Sequence, residues 1–407
     1  MKRPRIAIFQ YEWPLQSHSK DIVEKLSENG YEVDFFYFDA SKHNFIKISE
    51  KRNLRIHLCE KIPFILYQHP FFLFNIFFKV LNKFRWVSRK RIEKLFSDSE
   101  TGIIDTDVLI PTYRFIKRQK YKCYIGIEKK GLIWAGILSS HTKTDLLYYS
   151  LELYVDDHPM VPELEFSLRE AEKKYHRISK ATIIQDAFRA KILFQNNQII
   201  SAETILIPVS VRGLPYQNHN NYFQNKFGLQ NKSLVLYFGM INEGRFCTEY
   251  AKVSRSLPND MAMVLHGFGE SDYLDFLRSD FANEKLILST DFIDDSKLLE
   301  LVSSAKIGLS LYQNEFSNDR LTAFSSQKIA LYCQCGIPFV AFRNESYEKL
   351  TSAFKCAELI DTIDELLPAI NTIDQNYTAY SDSAFKAFNS FYNFDKNFEV
   401  LHEYLKH

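Results

Sequence analysis

The sequence has few cysteines, and their spacing excludes a disulfide framework and a structural zinc site. Only six occur among 407 residues, at scattered positions and mostly inside apolar runs. Cys333 and Cys335 are separated by a single residue and have no second pair near them, whereas zinc sites and disulfide-rich domains need paired cysteines at defined intervals. We interpret the cysteines as buried thiols of a protein in a reducing compartment.

Several motifs that define other classes of protein are also missing. The basic start of the chain leads into an apolar run of only residues 6–9, which is too short for a signal peptide, so a cytoplasmic location is predicted. The first predicted turn lacks the Gly-x-Gly-x-x-Gly pattern of dinucleotide-binding enzymes. The sequence contains no paired-histidine motif and no nucleic-acid-binding motif, so we expect no metal, no cofactor and no nucleic-acid partner.

The composition is that of a folded protein with two domains and an uneven distribution of charge. Hydrophobic residues make up 46% and charged residues 25%, and 407 residues are enough for two cores. Residues 1–212 contain 34 Lys and Arg against 25 Asp and Glu, a net charge of +9, whereas the remainder contains 17 against 25, a net charge of −8. The basic first half predicts an anionic partner, such as a membrane surface or a phosphorylated lipid.

Residues 62–96 join a dense aromatic run to a series of lysines and arginines. Pro63, Pro70, His69 and Lys79 interrupt the apolar part, so we do not expect a membrane-spanning helix. One interpretation is an interfacial helix that binds the anionic inner face of the membrane. The other is a core helix followed by a solvated basic helix, and the sequence leaves both open.

Alternating strand and helix patterns predict two parallel α/β domains. In the first half, strands are predicted at residues 6–10, 31–38, 107–110, 124–127, 146–151, 181–185 and 204–208. A polar, asparagine-rich stretch at residues 216–231 predicts the linker. After it the pattern restarts, with strands predicted at residues 233–238, 263–265, 285–288, 307–311 and 338–341.

The most informative stretch is residues 318–341, where a polar loop leads into a helix, a glycine and an apolar strand. Gly336 ends the predicted helix, and a strand follows at once. In parallel α/β domains ligands bind beyond the carboxyl ends of the strands, where helix N-termini offer free N–H groups. The residues at this helix start that are predicted to hold a diphosphate are Ser325, Ser326, Gln327 and Lys328. At two further strand ends, Gly239 and Gly267 would let a nucleotide approach the backbone closely.

The segment SSQKIALYCQCGIPFVA resembles the nucleotide-sugar-binding segment of group-one glycosyltransferases of the GT-B fold. The shared pattern is a lysine, then an aromatic residue, then Gly-x-Pro before an apolar strand, here Lys328, Tyr332, Gly336 and Pro338. The resemblance implies an α/β protein of two Rossmann-like, doubly wound domains that face each other across a cleft. The implied boundaries are residues 1–215 for an acceptor domain, residues 216–381 for a nucleotide-sugar domain, and residues 382–407 for a helix that returns to the first domain.

The resemblance also implies roles for individual residues. It places Lys328, Gly239 and Arg245 on the donor diphosphate, and Gly267 near the base. Arg320, next to Asp319, is expected to contact the donor sugar or, alternatively, to form a local ion pair.

Two positions depart from the family pattern. Where those enzymes usually carry a ribose-binding Glu, this chain has Leu331, and the partner acidic position is Ala323. The resemblance therefore does not identify the groups that contact the ribose and sugar of the donor.

A catalytic base is expected at a strand end of the first domain. Glu152, which follows the apolar run LLYYSL, is the first candidate by position, because a carboxylate there would deprotonate or orient an acceptor hydroxyl. The alternative is a cap or loop ion pair. The reserve candidates are Glu12, His18, Asp156, Asp157 and His158.

Together these features predict a metal-independent glycosyltransferase. It would move a sugar from a nucleotide-sugar donor to a hydroxyl of a lipid-linked or cell-surface polysaccharide precursor, such as lipopolysaccharide or capsule, as a peripheral protein at the cytoplasmic membrane face. Two alternatives stay open. One is a nucleotide-sugar epimerase of the same fold, and the other is a catalytically silent partner of a glycosyltransferase.

Overall fold

The computed structural model describes residues 3–11, 17–38, 48, 51–59, 102–155, 164–200 and 202–407. The chain divides into two compact units. The first consists of Met1–Glu152, Pro159–Ile184 and Ala190–Ile205, and the second of Leu153–His158, Gln185–Arg189 and Leu206–His407. Two short segments of the first half, Leu153–His158 and Gln185–Arg189, thus belong to the second unit.

The first sheet has seven strands in the order β3-β2-β1-β4-β5-β6-β7. Its strands are β1 (Arg5–Tyr11), β2 (Glu32–Phe38), β3 (Leu54–Leu58), β4 (Cys123–Ile127), β5 (Asp145–Tyr149), β6 (Ala181–Ile184) and β7 (Glu203–Leu206). The described helices along this half are α1 (Ser17–Glu28), α2 (Thr106–Ile116), α3 (Glu128–Thr142), α4 (Leu164–Ile178) and α5 (Ala187–Asn197). The paired strands run parallel, as the alternation of strand and helix predicts.

The second sheet has six parallel strands in the order β10-β9-β8-β11-β12-β13. Its strands are β8 (Ser233–Met240), β9 (Met261–Phe268), β10 (Leu286–Ser289), β11 (Ile307–Leu309), β12 (Phe339–Phe342) and β13 (Ala357–Ile360). The α-helices of this half are α6 (Tyr222–Phe227), α7 (Cys247–Ser254), α8 (Ser271–Asp280), α9 (Leu298–Ser303), α10 (Ser317–Arg320), α11 (Gln327–Gln334), α12 (Glu345–Ala353), α13 (Leu366–Gln375), α14 (Tyr377–Ala387) and α15 (Phe394–Lys406).

The central strands are buried on both faces, which explains why they are continuous apolar runs in the sequence. In β1 every residue after Arg5 is buried, and in β12 all four residues are buried. A parallel sheet covered by helices on both sides requires this pattern. The predicted α/β class and the two doubly wound domains are confirmed.

One predicted strand is wrong, and two strands were not predicted. Residues 107–110 lie within the helix α2, because the apolar run continues at helical spacing, with Val108, Thr112 and Ile116 buried on one side. The short strands β3 and β13 have mixed burial, so their sequences lack a clear apolar signal.

Gly336 ends α11 as predicted. Its φ of +63° lies in the left-handed region, and a Cβ there would come within 2.2 Å of the Phe385 ring. Both features require glycine at this position. Further along, α15 buries Phe394, Phe398, Leu401 and Leu405 and belongs to the second unit. Its return to the first domain stays a prediction.

Some predictions concern residues outside the described part of the chain. These are the aromatic and basic stretch at residues 62–96 and the reserve candidates Glu12, Asp156, Asp157 and His158. Within the described ranges, no helix has the length and apolar character needed to cross a membrane. All six cysteines are free thiols; five are buried and Cys59 is half-buried.

Candidate functional site

Each sheet reverses its strand order at one point, and the candidate residues gather there. In the second sheet the reversal lies between β8 and β11, and in the first sheet it lies between β1 and β4. Open parallel sheets bind ligands at the carboxyl ends of the strands beside such a point. Each unit therefore contains its own group of candidate residues, which we call the half-site of that unit.

Gly239 and Gly267 form a glycine pair at the carboxyl ends of β8 and β9. The two residues are register partners, with φ angles of +135° and +148°. A Cβ on Gly267 would lie 1.8 Å from the Gly239 carbonyl oxygen, so no larger residue fits. The two glycines lie side by side at the same end of neighbouring strands, and the sheet edge has no side chain at either position.

Lys328 lies directly below this edge, inside a group of aromatic rings that we call the aromatic cage: Tyr237, Phe238 and Tyr312. Its Nζ is 3.9 Å from the Tyr237 ring centroid, 5.2 Å from that of Tyr312 and 5.9 Å from that of Phe238. A Cβ on Gly239 would lie 3.7 Å from the same Nζ. The amine therefore points from the start of α11 toward the bare end of β8.

Because Lys328 is buried in this cage, its amine is only partly protonated near pH 7. Burial, and after it the charge of Arg245, lower the pKa of Lys328 to about 7. The faces of the aromatic rings favour the ammonium form, but burial outweighs this attraction. A bound anion would supply the missing counter-charge and raise the pKa of Lys328 again.

Arg245 is the second cation of this half-site. Its Cζ lies 4.7 Å above the Tyr312 ring, and its Nη1 is 3.1 Å from Asp319 Oδ2. Because Lys328 contacts the same ring, the structure brings the two predicted phosphate ligands together around Tyr312. The Asp319 carboxylate holds Arg245 in place.

The other predicted donor residues occupy the loop and first turn around α11. Ser326 is buried and its Oγ is 2.9 Å from Tyr312 Oη, while Gln327 is exposed at the first helical position. Ser325 donates its hydroxyl to the Leu321 carbonyl. Arg320 forms an ion pair of 2.9 Å with Glu345, which is distant in sequence, whereas its neighbour Asp319 pairs with Arg245. The contact of Arg320 with a donor sugar stays a prediction.

Arg189 is a residue that the sequence did not single out. It is 1% exposed, and its guanidinium donates to the Leu321 carbonyl (3.2 Å), Ser325 Oγ (3.2 Å) and Asn318 Oδ1 (3.0 Å). These bonds fix the loop before α11 at three points. No local motif indicates this role, because Arg189 lies far from the loop in sequence.

Ala323 and Leu331 are both part of the hydrophobic core of the second unit, with exposures of 0% and 5%. Both side chains are packed inside that core. The departure from the family pattern is therefore a change from polar to core residues, and the described structure offers no acid at these two places.

In the first unit, the reversal of strand order places Glu128 at the carboxyl end of β4. Its φ is +60°, which is unusual for a residue other than glycine, and it is buried. Its Oε1 accepts hydrogen bonds from the backbone N–H groups of Leu151 (2.8 Å) and Glu152 (3.0 Å). The carboxyl group thus lies against the end of β5.

Burial raises the pKa of Glu128 to about 8, and the nearby charge of Glu152 acts in the same direction. Both backbone hydrogen bonds go to Oε1, so a proton on Oε2 leaves them intact. The neutral acid therefore fits this position near pH 7. A buried, strained carboxyl with a raised pKa is typical of an acid or base in a reaction.

Two sequence candidates lie at the same carboxyl edge of the first sheet as Glu128. Glu152 is half-buried just beyond β5, and His18 is buried at the start of α1, with its ring 6.1 Å from that of Tyr149. The carboxyl edge of the first sheet therefore brings together Glu128, Glu152 and His18. The sequence identified Glu128 only as the start of a helix; the clue to its importance is that β4 pairs with β1.

No metal centre is recognisable in the described ranges, since nowhere in them do three His, Cys, Asp or Glu side chains gather as a ligand set.

Comparison with known proteins gives matches in structure alone. No protein-family model matches the sequence, and no curated protein matches it. Among solved structures, sucrose-phosphate synthase from Thermosynechococcus elongatus matches 100% of this chain and 98% of its own, with a TM-score of 0.72 and 12% identity. HepE from Anabaena, solved with UDP-glucose, matches 100% of both chains with a TM-score of 0.66 and 13% identity.

A third match is WaaG, a glycosyltransferase involved in lipopolysaccharide biosynthesis, which covers 99% of this chain and 98% of its own with a TM-score of 0.60 and 10% identity. Identities this low carry information on the fold only. The two doubly wound units and the full-length matches together show that this chain has the GT-B fold.

Proposed function

We propose that the protein is a glycosyltransferase that uses a nucleotide-sugar donor. The observation that carries this proposal is the donor half-site: a bare glycine edge with Lys328 and Arg245 beneath it, at the point where the second sheet reverses its order. The glycines leave room for a nucleotide to approach the backbone. Two cations beside a helix N-terminus can bind a diphosphate. The structural neighbour HepE, solved with UDP and with UDP-glucose, supports this choice of ligand.

The chemistry assigned to these residues is stabilisation of the leaving group. The bond from the anomeric carbon to the diphosphate oxygen breaks, and the departing nucleoside diphosphate gains negative charge. Lys328 and Arg245 would bind that charge more tightly as it grows, which lowers the barrier. Arg189 would act as a positioning residue, because it fixes the loop that carries Asp319, the partner of Arg245.

The first unit would supply the group that activates the acceptor. The acceptor hydroxyl forms the new bond to the anomeric carbon and loses its proton. Glu152 is our candidate to take or orient that proton, and the Glu128 carboxyl group accepts a hydrogen bond from its backbone N–H. Ser325, Ser326, Gln327 and Arg320 are assigned to the donor.

We further propose a lipid-linked or surface-polysaccharide acceptor, reached at the cytoplasmic membrane face, and a reaction without a metal ion. The basic first half of the chain supports an anionic surface as partner, and the resemblance to WaaG in fold supports a polysaccharide context.

A second candidate function is a catalytically silent partner of a glycosyltransferase. It is favoured by one observation, the burial of Ala323 and Leu331 where the family usually has acidic residues. An epimerase of the same fold would share the donor half-site and act on a nucleotide sugar without an acceptor.

The experiment that separates these functions is a panel of nucleotide sugars incubated with the protein, with and without lipid-linked acceptors. A glycosyltransferase releases nucleoside diphosphate, and release increases with the matching acceptor. An epimerase changes the sugar without that increase, and a silent partner binds but releases nothing. Absence of both binding and release across the panel would contradict the proposal.

A further inference from the structure

The first unit has a basic depression at the amino ends of its strands, which is the edge of the sheet opposite to Glu128. It is formed by the two loops that lead into β4 and β5, and by the ends of α2 and α3, with a volume of about 450 Å³. Since β4 has five residues, this edge lies on the order of 15 Å from the carboxyl ends of the strands. The depression is therefore separate from the half-site of the first unit.

Four lysines line this depression: Lys117, Lys120, Lys122 and Lys143. In the part of the chain that the structure describes, none of them forms an ion pair with a carboxylate. The one carboxylate in the lining, Asp145, is already paired with Lys180 at 2.7 Å. The lining thus carries four positive charges without a counter-charge.

Helix electrostatics explain only part of this arrangement. Lys117 and Lys143 are the C-cap residues of α2 and α3, where the helix dipole stabilises a positive charge. Each helix C-terminus contributes about half a negative charge, so the two together cancel about one of the four positive charges. Lys120 and Lys122 lie outside any helix, and no capping role accounts for them.

The remaining side chains suit an oxyanion. Thr142, Thr144 and Tyr113 add hydroxyl groups around the depression. Ammonium groups around a polar opening of this size bind multiply charged phosphate, because each contact is a charge-assisted hydrogen bond. The volume is also within the range of small-molecule sites, about 300 to 1,000 Å³.

We propose that this depression is a binding site for a phosphate-bearing anion, centred on Lys120 and Lys122. The proposal does not depend on the proposed function. The anion would be either a free polyphosphate-type ligand or a lipid headgroup, which share the same recognition chemistry. Occupancy by a headgroup would attach this edge of the first unit to an anionic membrane.

The test uses the full chain carrying Lys328→Ala, so that the donor half-site does not contribute to phosphate binding. Two probes are used: inorganic pyrophosphate, by calorimetry at low salt, and phosphatidylcholine vesicles with and without phosphatidylglycerol, by co-sedimentation. The variant is Lys120→Glu with Lys122→Glu. Its control is Lys191→Glu with Lys386→Glu, which changes two exposed lysines elsewhere and alters the net charge equally.

We expect binding of at least one probe to fall by about tenfold or more in the Lys120 and Lys122 variant, and by no more than about twofold in the control. Loss for pyrophosphate alone identifies a free phosphate ligand, and loss for vesicles identifies a headgroup. Absence of binding of both probes to the starting protein, or equal binding by variant and control, overturns the proposal. If the glutamate pair does not fold, Lys120→Ala with Lys122→Ala gives the same comparison.

Discussion

At the scale of single residues, the two half-sites are built from groups with opposite shifts of pKa. Burial lowers the pKa of Lys328 to about 7 and raises that of Glu128 to about 8. Each residue is therefore partly neutral near pH 7. The pH dependence of binding and of stability tests both groups.

Lys328 should make nucleotide binding depend on pH. The anion binds the ammonium form, so the affinity for UDP should fall as the pH rises above about 7, by up to about tenfold per pH unit. Binding at about pH 8 should take up protons, seen in calorimetry as a heat that varies with the ionisation enthalpy of the buffer. A flat affinity between about pH 7 and about pH 9, with no proton uptake, would contradict this assignment.

Glu128 should destabilise the folded protein as the pH rises. Its folded pKa of about 8 lies above its ordinary value of 4.5, so the folded state binds the proton more tightly and this contribution is lost between those values. Glu128→Gln keeps the acceptor oxygen without the charge. Above about pH 8 it should be more stable than the wild type, by an amount on the order of 5 kcal/mol, and close to equal near pH 5. Urea denaturation at both pH values measures this; a difference that is the same at both would refute it.

At the scale of elements, the long buried strands and their helices were predictable, and short or half-buried elements were not. The strands β8, β9 and β12 are continuous apolar runs, so their positions follow from the sequence. Residues 107–110 were predicted as a strand and lie in a helix, because three consecutive apolar residues are compatible with the periodicity of a strand and with that of a helix. For the site, the glycines and Lys328 lie next to strong local signals. Glu128 and Arg189 depend on strand order and on contacts distant in sequence, which no local pattern contains.

The glycine edge of β8 and β9 should not tolerate a side chain at Gly267. A Cβ would overlap the Gly239 carbonyl at 1.8 Å and force the strands apart. Gly267→Ala should lower the free energy of unfolding by about 3 kcal/mol or more. The control is Gly228→Ala, also at positive φ but with no atom within 4 Å of the new Cβ, which should cost about 1 kcal/mol. Denaturant titrations measure both free energies of unfolding. Equal losses of stability in the two variants would contradict the prediction, because the overlap at Gly267 would then have no cost of its own.

At the scale of the whole molecule, the two units repeat one topology with different chemistry at the point of reversal. The order β3-β2-β1-β4 of the first sheet corresponds to β10-β9-β8-β11 of the second. The first unit has carboxyl groups at this point, whereas the second has two cations. This division is what the proposed reaction requires, in which one unit activates a hydroxyl and the other binds the leaving diphosphate.

The division predicts that a change in the first unit alters transfer without altering donor binding. Glu152→Gln keeps the shape and a hydrogen bond but removes the negative charge, so transfer should fall by ~10²-fold or more while donor affinity stays unchanged. The measurement is turnover together with calorimetric donor affinity on the same preparations. Near-normal turnover would move the role to Glu128, His18 or Glu12.

The most direct test of the central claim, that the second unit binds a nucleoside diphosphate, is calorimetric titration of UDP at about pH 7 into wild type, Lys328→Ala, and the exposed control Lys386→Ala. A charge-assisted contact to phosphate contributes about 1.5 to 3 kcal/mol, so Lys328→Ala should weaken binding by about tenfold or more, while the control binds as the wild type does. Equal UDP affinity in all three proteins, or no UDP binding by the wild type, would contradict the account.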